Sequence, residues 1–121
     1  MNEGPGCLIH NGRLFVTYSG NATDERYAVG LLTLKENGDP LNPADWEKSP
    51  APVMVTEEKN GLYGPGHNSF TVDEEGRDLI VFHARPYPGF HGDALSDPNR
   101  HCFLRVIEYT EDGSPVFTKA E

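Results

Sequence analysis

The sequence has few basic residues, and it has no long apolar run. Lys and Arg together number 10, against 19 Asp and Glu, which gives a formal net charge of −9. A chain this acidic repels phosphate backbones, so we expect no nucleic acid among its partners. No apolar segment approaches the roughly 20 residues that a membrane-spanning helix needs. We therefore expect no membrane partner either.

Cysteine is scarce, and a leader sequence is not visible. Cys7 and Cys102 are the two cysteines, and neither stands in a Cys-x-x-Cys pattern, so a structural zinc site is not expected. We expect both to be free, buried thiols. Met1 is followed by Asn2 and Glu3 and not by a basic region and an apolar core, so no signal peptide is apparent. The sequence is compatible with a cytoplasmic or a secreted protein.

Glycine and proline, in contrast, are abundant, at 13 and 10 residues, which favours short strands and turns over long helices. Two Gly-Pro-Gly triplets, Gly4-Pro5-Gly6 and Gly64-Pro65-Gly66, each precede a hairpin pattern. The first hairpin turns at Asn11-Gly12 and the second at residues 73–76. The triplets therefore mark two copies of one unit.

The similarity between the copies continues downstream. Residues 30–34 and 105–109 are each followed by an acidic turn with glycine, then proline and an apolar residue. We place repeat one at about residues 4–60 and repeat two at about 64–118. A repeat of four short strands is typical of a propeller blade, so the predicted fold is all-β, with about two four-stranded blades. The alternative is a β-sandwich whose halves are similar by accident.

Two blades make an incomplete propeller. A blade buries both faces only between neighbours, and propellers close with about four to eight blades. We therefore expect this chain to need missing blades or self-association. One short helical turn is also expected after Asn42, with Asn42 as its cap and Pro43 at its first position.

Polar residues at two strand entries are candidates for chemistry. Glu3 stands just before the first Gly-Pro-Gly, where its carboxylate could act as a general acid, although a glutamate so placed is usually solvated. His67 follows the second triplet at the same level of its repeat. It is either a site residue facing the central channel or a partly buried structural histidine.

A third cluster follows the second hairpin. Its histidines, arginines and aspartates lie in a long Gly/Pro-rich segment, and such loops are usually functional or mobile. An arginine fork can bind hydroxyl groups, and Tyr87 or Phe90 could stack on a sugar ring. A metal bound by His83, His91 and Asp93 is an alternative, but the spacing of these residues matches no closed site. The members are His83, Arg85, His91, Asp93, Asp97, Arg100 and His101.

These segments together resemble glycoside hydrolase family 43, in its α-L-arabinofuranosidase-like branch. The resemblance extends from Asn2 to about Phe117. Its most specific sequence motifs are Gly-Pro-Gly-His-Asn-Ser-Phe at 64–70, His-Ala-Arg at 83–85 and Asp-Pro-Asn-Arg-His at 97–101. Relatives commonly continue with Thr-Arg-Val-Gln where this chain has Cys-Phe-Leu-Arg at 102–105. The wall of the site there is therefore expected to differ.

The resemblance implies a fold and residue roles. Family members are five-bladed propellers that hydrolyse glycosides with inversion, using a glutamate acid, an aspartate base and a second aspartate. Glu3 matches the acid, in a Glu-Gly-Pro word, whereas neither aspartate has a counterpart here. His67 matches a channel histidine near a calcium or sodium ion, and Arg100 matches an arginine that contacts the sugar. His83 and Arg85 are further expected substrate contacts.

The implied function is that of the C-terminal part of an inverting glycoside hydrolase. Its substrates would be α-L-arabinofuranosides or β-xylosides of plant polysaccharides, and its partner an arabinose- or xylose-containing oligosaccharide. Because the base side has no counterpart, we expect the isolated chain to be inactive. The alternatives are a non-catalytic sugar-binding module and an assembly piece completed by another chain or by self-association.

Overall fold

The computed structural model describes residues 1–118, and nearly all of its regular structure is β-strand. In this part of the chain no helix is long and apolar enough to cross a membrane. Single 3-10 turns occur at Pro43–Asp45 and Glu58–Asn60. The expected all-β fold is confirmed. The strands are β1 (Asn2–His10), β2 (Arg13–Gly20), β3 (Ala28–Leu34), β4 (Trp46–Lys48), β5 (Tyr63–Val72), β6 (Asp78–Arg85), β7 (His101–Val106), β8 (Glu108–Tyr109) and β9 (Pro115–Val116).

Strands β1 to β4 form the first sheet, antiparallel and in chain order. Asn11 and Gly12 connect β1 to β2 with φ angles of 50° and 75°. Two successive positive φ values are those of the tight turn that Asn-Gly favours, because its twist matches that of the strands. The Asn42 side chain accepts a hydrogen bond from the Ala44 N–H, with Pro43 at the start of the turn. The predicted cap is confirmed.

Strands β5, β6 and β7 form the second sheet, which has three strands where four were expected. The segment 105–109, predicted as one strand, is divided at Ile107. This residue is buried in the core, and its N–H donates to the Asp78 carbonyl at 2.8 Å. Beyond it, β8 pairs with β9 in a ribbon of its own. The burial of Ile107 thus diverts the chain from the second sheet.

The two sheets share one core. Both sheets and the segment that joins them contribute buried apolar side chains to it, so neither repeat has a separate core. The core residues are Leu8, Phe15, Val29, Leu31, Met54, Leu62, Ile80, Phe82, Ala84, Ile107 and Phe117. The predicted repeat boundaries, 4–60 and 64–118, stay a prediction.

The outer faces of the two sheets carry the cysteines. Cys7 lies opposite Val16 in the first sheet, and Cys102 lies opposite His83 in the second. Both thiols are free, as expected, but both are exposed, so the expectation that they are buried was wrong. The alternation of side chains along each strand explains the difference, because these positions point away from the shared core.

Substitutions of two isoleucines test this division into core and outer face. Ile80 is fully buried, whereas Ile9 is 70% exposed. We expect Ile80→Ala to lower the free energy of unfolding by about 2–5 kcal/mol, since it leaves a cavity in the core. Ile9→Ala should cost less than about 1 kcal/mol. Urea unfolding followed by circular dichroism measures both, and equal losses would contradict the assignment of the core.

Candidate active site

The two Gly-Pro-Gly words are β-bulges, and they direct Glu3 and His67 toward each other. The β1–β2 register shifts between Glu3 and Gly6, and the β5–β6 register shifts on both sides of Gly66. Bulges bend a strand and redirect its side chains, often beside functional sites. The His67 Nδ1 atom consequently lies 4.0 Å from Glu3 Oε1.

The strand that carries His67 is joined to the first sheet by polar contacts. The His67 N–H donates to Ser19 Oγ at 2.6 Å, and His67 has a positive φ of 46°. Next to it, the Asn68 Nδ2 donates to Thr17 Oγ1 at 2.9 Å. Thr17, Ser19 and Asn68 are all buried, so these hydrogen bonds act at low dielectric. They fix β5 against β2 and with it the position of His67.

Tyr27 is the hydrogen-bond donor to Glu3. Its hydroxyl donates to Glu3 Oε1 at 2.8 Å, while the rest of the tyrosine is buried. Burial raises the pKa of Tyr27 to about 12, and the adjacent Glu3 carboxylate adds to this rise. The phenol therefore keeps its proton at neutral pH and can hold the carboxylate in place.

Glycine is required where the Tyr27 ring crosses β5. A Cβ atom at Gly66 would lie 2.3 Å from Tyr27 Cε2, which is closer than any side chain allows. A Cβ atom at Gly4 would lie 3.2 Å from the His67 ring, and Gly4 has a φ of +59°. The glycines of the repeated triplets thus leave room for the rings of Tyr27 and His67.

His83 lies between these two rings. Its ring stacks on Tyr27 at a centroid distance of 5.8 Å and is tilted against His67 at 6.2 Å. Burial lowers the pKa of His83 to about 4, and the positive charge of Arg100 acts in the same direction. A neutral imidazole can both donate and accept a hydrogen bond, which suits a sugar hydroxyl.

An open cleft of about 450 Å³ brings three of the predicted residues together, namely His67, His83 and Arg100. The segment 95–98, from the connection between β6 and β7, completes its wall. Within residues 1–118, no hydrogen bond or ion pair holds the Arg100 side chain. The cleft therefore presents a guanidinium with free donors next to a neutral histidine.

Arg85 has a different environment from the other predicted contacts. Its side chain is 4% exposed, and its two terminal nitrogens donate to the carbonyl oxygens of Thr23 and Ala94 at 2.7 and 2.6 Å. These donors are engaged with the protein. The role of Arg85 as a sugar contact stays a prediction, and the contacts that it makes here are those of a structural residue.

Comparison with known proteins identifies the family to which the chain belongs. The model of the family described as glycosyl hydrolases family 43 matches residues 1–115. The chain belongs to this family. Of the curated proteins, an extracellular exo-α-(1→5)-L-arabinofuranosidase of Streptomyces avermitilis is 48% identical over 97% of this chain, and α-L-arabinofuranosidase 43 of Humicola insolens is 45% identical over 97%. The chain spans about a quarter of these relatives, 24% of each.

Solved structures agree with the propeller expectation. An α-L-arabinofuranosidase from Lactobacillus brevis superposes with a TM-score of 0.92 and 48% identity, over 100% of this chain and 38% of that chain. An endo-1,4-β-xylanase from Bacteroides thetaiotaomicron gives a TM-score of 0.75 at 25% identity, over 99% of this chain and 38% of that chain. The fold is thus that of part of a family 43 propeller.

The family resemblance implied a calcium or sodium ion near His67. Among residues 1–118, no three His, Cys, Asp or Glu side chains are grouped so that they could hold a metal ion. His83, His91 and Asp93 form no such group in the described part of the chain. The described residues therefore do not by themselves make a metal site.

The sequence assigned no role to two residues central to this geometry, Tyr27 and Asp97, although Asp97 belongs to the third polar cluster. Tyr27 contacts Glu3 across a separation of 24 residues, and no local motif marks it. Asp97 is 3% exposed, and the Tyr87 hydroxyl donates to it at 2.7 Å. Asp97 had a local signal, because Asp-Pro-Asn at 97–99 favours a side-chain turn, and the Asn99 N–H does donate to Asp97 at 3.0 Å.

The low pKa of His83 gives a pH prediction. Because its folded-state pKa of about 4 lies below the ordinary 6.5, protonation favours the unfolded chain. Above pH 6.5 the neutral His83 makes its full contribution to the free energy of unfolding, and this contribution is lost as the pH drops from 6.5 to 4. We expect the His83 ring protons to titrate near pH 4 by NMR, and His83→Gln to make unfolding less pH-dependent in this window. A His83 midpoint near 6.5 would contradict this environment.

Proposed function

We propose that this chain supplies the acid side and part of the sugar subsite of an inverting glycosidase that acts on α-L-arabinofuranosides. The observation that carries the proposal is the Glu3 carboxylate, held by the Tyr27 hydroxyl at 2.8 Å beside a cleft with His67, His83 and Arg100. Arabinofuranosides are favoured over xylosides because the curated relatives named above are arabinofuranosidases.

Each group has a defined part in this proposal. Glu3 protonates the oxygen of the leaving group as the glycosidic bond breaks. An aspartate base activates water on the opposite face of the sugar, about 6.5–9.5 Å from the acid. Arg100 donates to sugar hydroxyls through its rigid fork, and neutral His83 accepts or donates a further hydrogen bond. His67 lies beside the acid, with its Nδ1 4.0 Å from Glu3 Oε1.

The base has no counterpart among the residues assigned here. The family resemblance matches neither aspartate to a residue of this chain, and a base would stand too far from Glu3 to be one of its direct contacts. We propose that the base and the second aspartate come from other blades of the propeller. An ion near His67, with ligands from those blades, is kept as part of this proposal.

The site of action is proposed as extracellular. The Streptomyces avermitilis relative carries the word extracellular in its name, and the substrate class, plant polysaccharide, is too large to enter a cell intact. The oligosaccharide partner is then an arabinose-containing fragment of that polysaccharide.

The isolated chain tests the need for the missing base. We expect no steady release of 4-nitrophenol from 4-nitrophenyl α-L-arabinofuranoside by the 121-residue chain, because removal of one of two cooperating groups costs orders of magnitude in rate. A spectrophotometric assay at 405 nm, run over hours, measures this. Steady release that Glu3→Gln abolishes would show that this chain contains a complete site.

A chimera tests the proposed role of Glu3. The chain replaces the matching 38% of the Lactobacillus brevis arabinofuranosidase, on which it superposes with a TM-score of 0.92. We expect the chimera to hydrolyse the arabinofuranoside and Glu3→Gln to lower kcat by about 10²–10⁴-fold, the usual contribution of general acid catalysis. Glu74→Gln, in the exposed β5–β6 turn, is the matched control. A Glu3→Gln chimera as active as the control would refute this role.

A non-catalytic sugar-binding module is the second candidate, favoured by Arg100, whose donors are free in the described structure. Calorimetry of the isolated chain with arabino-oligosaccharides separates the two candidates from an inert piece. Binding that Arg100→Ala abolishes, together with an inactive chimera, would favour the module.

A further inference from the structure

A connection of 15 residues, the 86–100 loop, follows β6 and supplies one wall of the cleft. It contains no strand or helix, yet it brings Leu95, Pro98 and Arg100 to the cleft. Leu95 is 71% exposed, so apolar packing does not hold it there. Something else must fix this loop if Arg100 is to meet a sugar in a defined position.

The carboxylate of Asp97 organises the interior of the loop. It accepts hydrogen bonds from the His91 N–H at 2.8 Å, from the Asn99 N–H at 3.0 Å and from the Tyr87 hydroxyl at 2.7 Å. The His91 N–H and these other donors hold the pKa of Asp97 well below its usual range. The carboxylate is therefore charged at any pH at which a glycosidase works, and its oxygens are engaged.

Arg85 connects this loop to the first sheet. Its Nε lies 3.4 Å from Asp97 Oδ2, one terminal nitrogen donates to Ala94 of the loop, and the other donates to Thr23. Thr23 belongs to the β2–β3 connection, residues 21–27, which ends at Tyr27, the donor to Glu3. One buried guanidinium thus joins the segment that carries Arg100 to the segment that carries the partner of the acid.

We propose that Arg85 and Asp97 are a positioning pair, which holds the 86–100 loop so that Arg100 faces His67 and His83 across the cleft. The pair touches no substrate in this proposal. It rests on the proposed function only in that Arg100 binds sugar. Lysine at 85 would keep the charge but lose the fork that reaches two carbonyls, and Asn at 97 would direct an NH₂ group or a neutral oxygen at its donors.

Trypsin gives a readout that needs no activity. Cleavage after Arg100 reports the opening of the loop, and Arg85 is followed by Pro86, which blocks cleavage there. In the full chain we expect Asp97→Asn and Arg85→Lys to speed cleavage after Arg100 at least about tenfold, because the rate follows the population of the open loop. Mass spectrometry of the fragments measures it.

Kinetics in the complete propeller separate positioning from stability. In the chimera described above, we expect both variants to raise KM about tenfold or more, since a misplacement near 1 Å costs up to ~10²-fold. For Asp97→Asn, which makes no contact with the Thr23 segment, kcat should stay within about threefold, because Glu3 lies on β1 and outside the loop. Arg105→Lys is the matched control: Arg105 forms another half-buried bridge, to Glu57 at 2.7 Å, away from the cleft.

The outcomes decide the proposal in different ways. Faster cleavage and a raised KM in both variants, with neither in Arg105→Lys, supports the positioning pair. Unchanged cleavage, or an unchanged KM despite faster cleavage, overturns it, and so does the same KM change in Arg105→Lys. A wild-type chimera that hydrolyses no arabinofuranoside refutes the proposed function instead, and cleavage after Arg100 then decides alone whether the pair holds the loop.

Discussion

The whole site depends on the close approach of the first sheet to β5. The Tyr27 ring occupies the space that a side chain at residue 66 would fill, with only 2.3 Å between its Cε2 and a Cβ there. Because Gly66 has no side chain, the Tyr27 ring has room to donate its hydroxyl hydrogen bond to Glu3 and to stack on His83 at the same time. A Cβ at residue 66 would also lie 3.0 Å from Ser19 Oγ, the acceptor of the His67 N–H, so the missing side chain keeps both Tyr27 and Ser19 in contact with their partners.

The local patterns of the sequence were reliable where a short segment determines its own conformation. The Asn11-Gly12 turn and the Asn42 cap have the predicted form, because positive φ and a capping oxygen act within a few residues. The two Gly-Pro-Gly triplets, predicted to precede their hairpins, lie inside β1 and β5 instead. The prediction that Cys7 and Cys102 are buried was wrong, because burial depends on the tertiary fold and not on the local pattern. Strand alternation gives two faces, but only the tertiary fold says which of them is covered.

Contacts between distant segments were beyond local patterns. The bond from Tyr27 to Glu3 and the two carbonyl contacts of Arg85 join residues that lie 24, 62 and 9 positions apart. Nothing in a hairpin pattern indicates which tyrosine will meet which carboxylate. The family resemblance did supply His67, His83 and Arg100, and the structure gathers all three around one cleft, although their roles stay predictions.

The residues around the cleft differ in how firmly the fold holds them. The acid, its tyrosine donor and both cleft histidines lie on β-strands or directly before one, where backbone pairing and burial limit their movement. Arg100, by contrast, is the last residue of a long irregular loop, so its position depends on the buried charge of Asp97 and on the Arg85 fork. Catalytic groups work best when their geometry is fixed before the substrate arrives. The buried Arg85–Asp97 pair fixes the position of Arg100, as strand pairing fixes that of Glu3. Because both side chains of the pair are buried, the cleft stays accessible to a sugar.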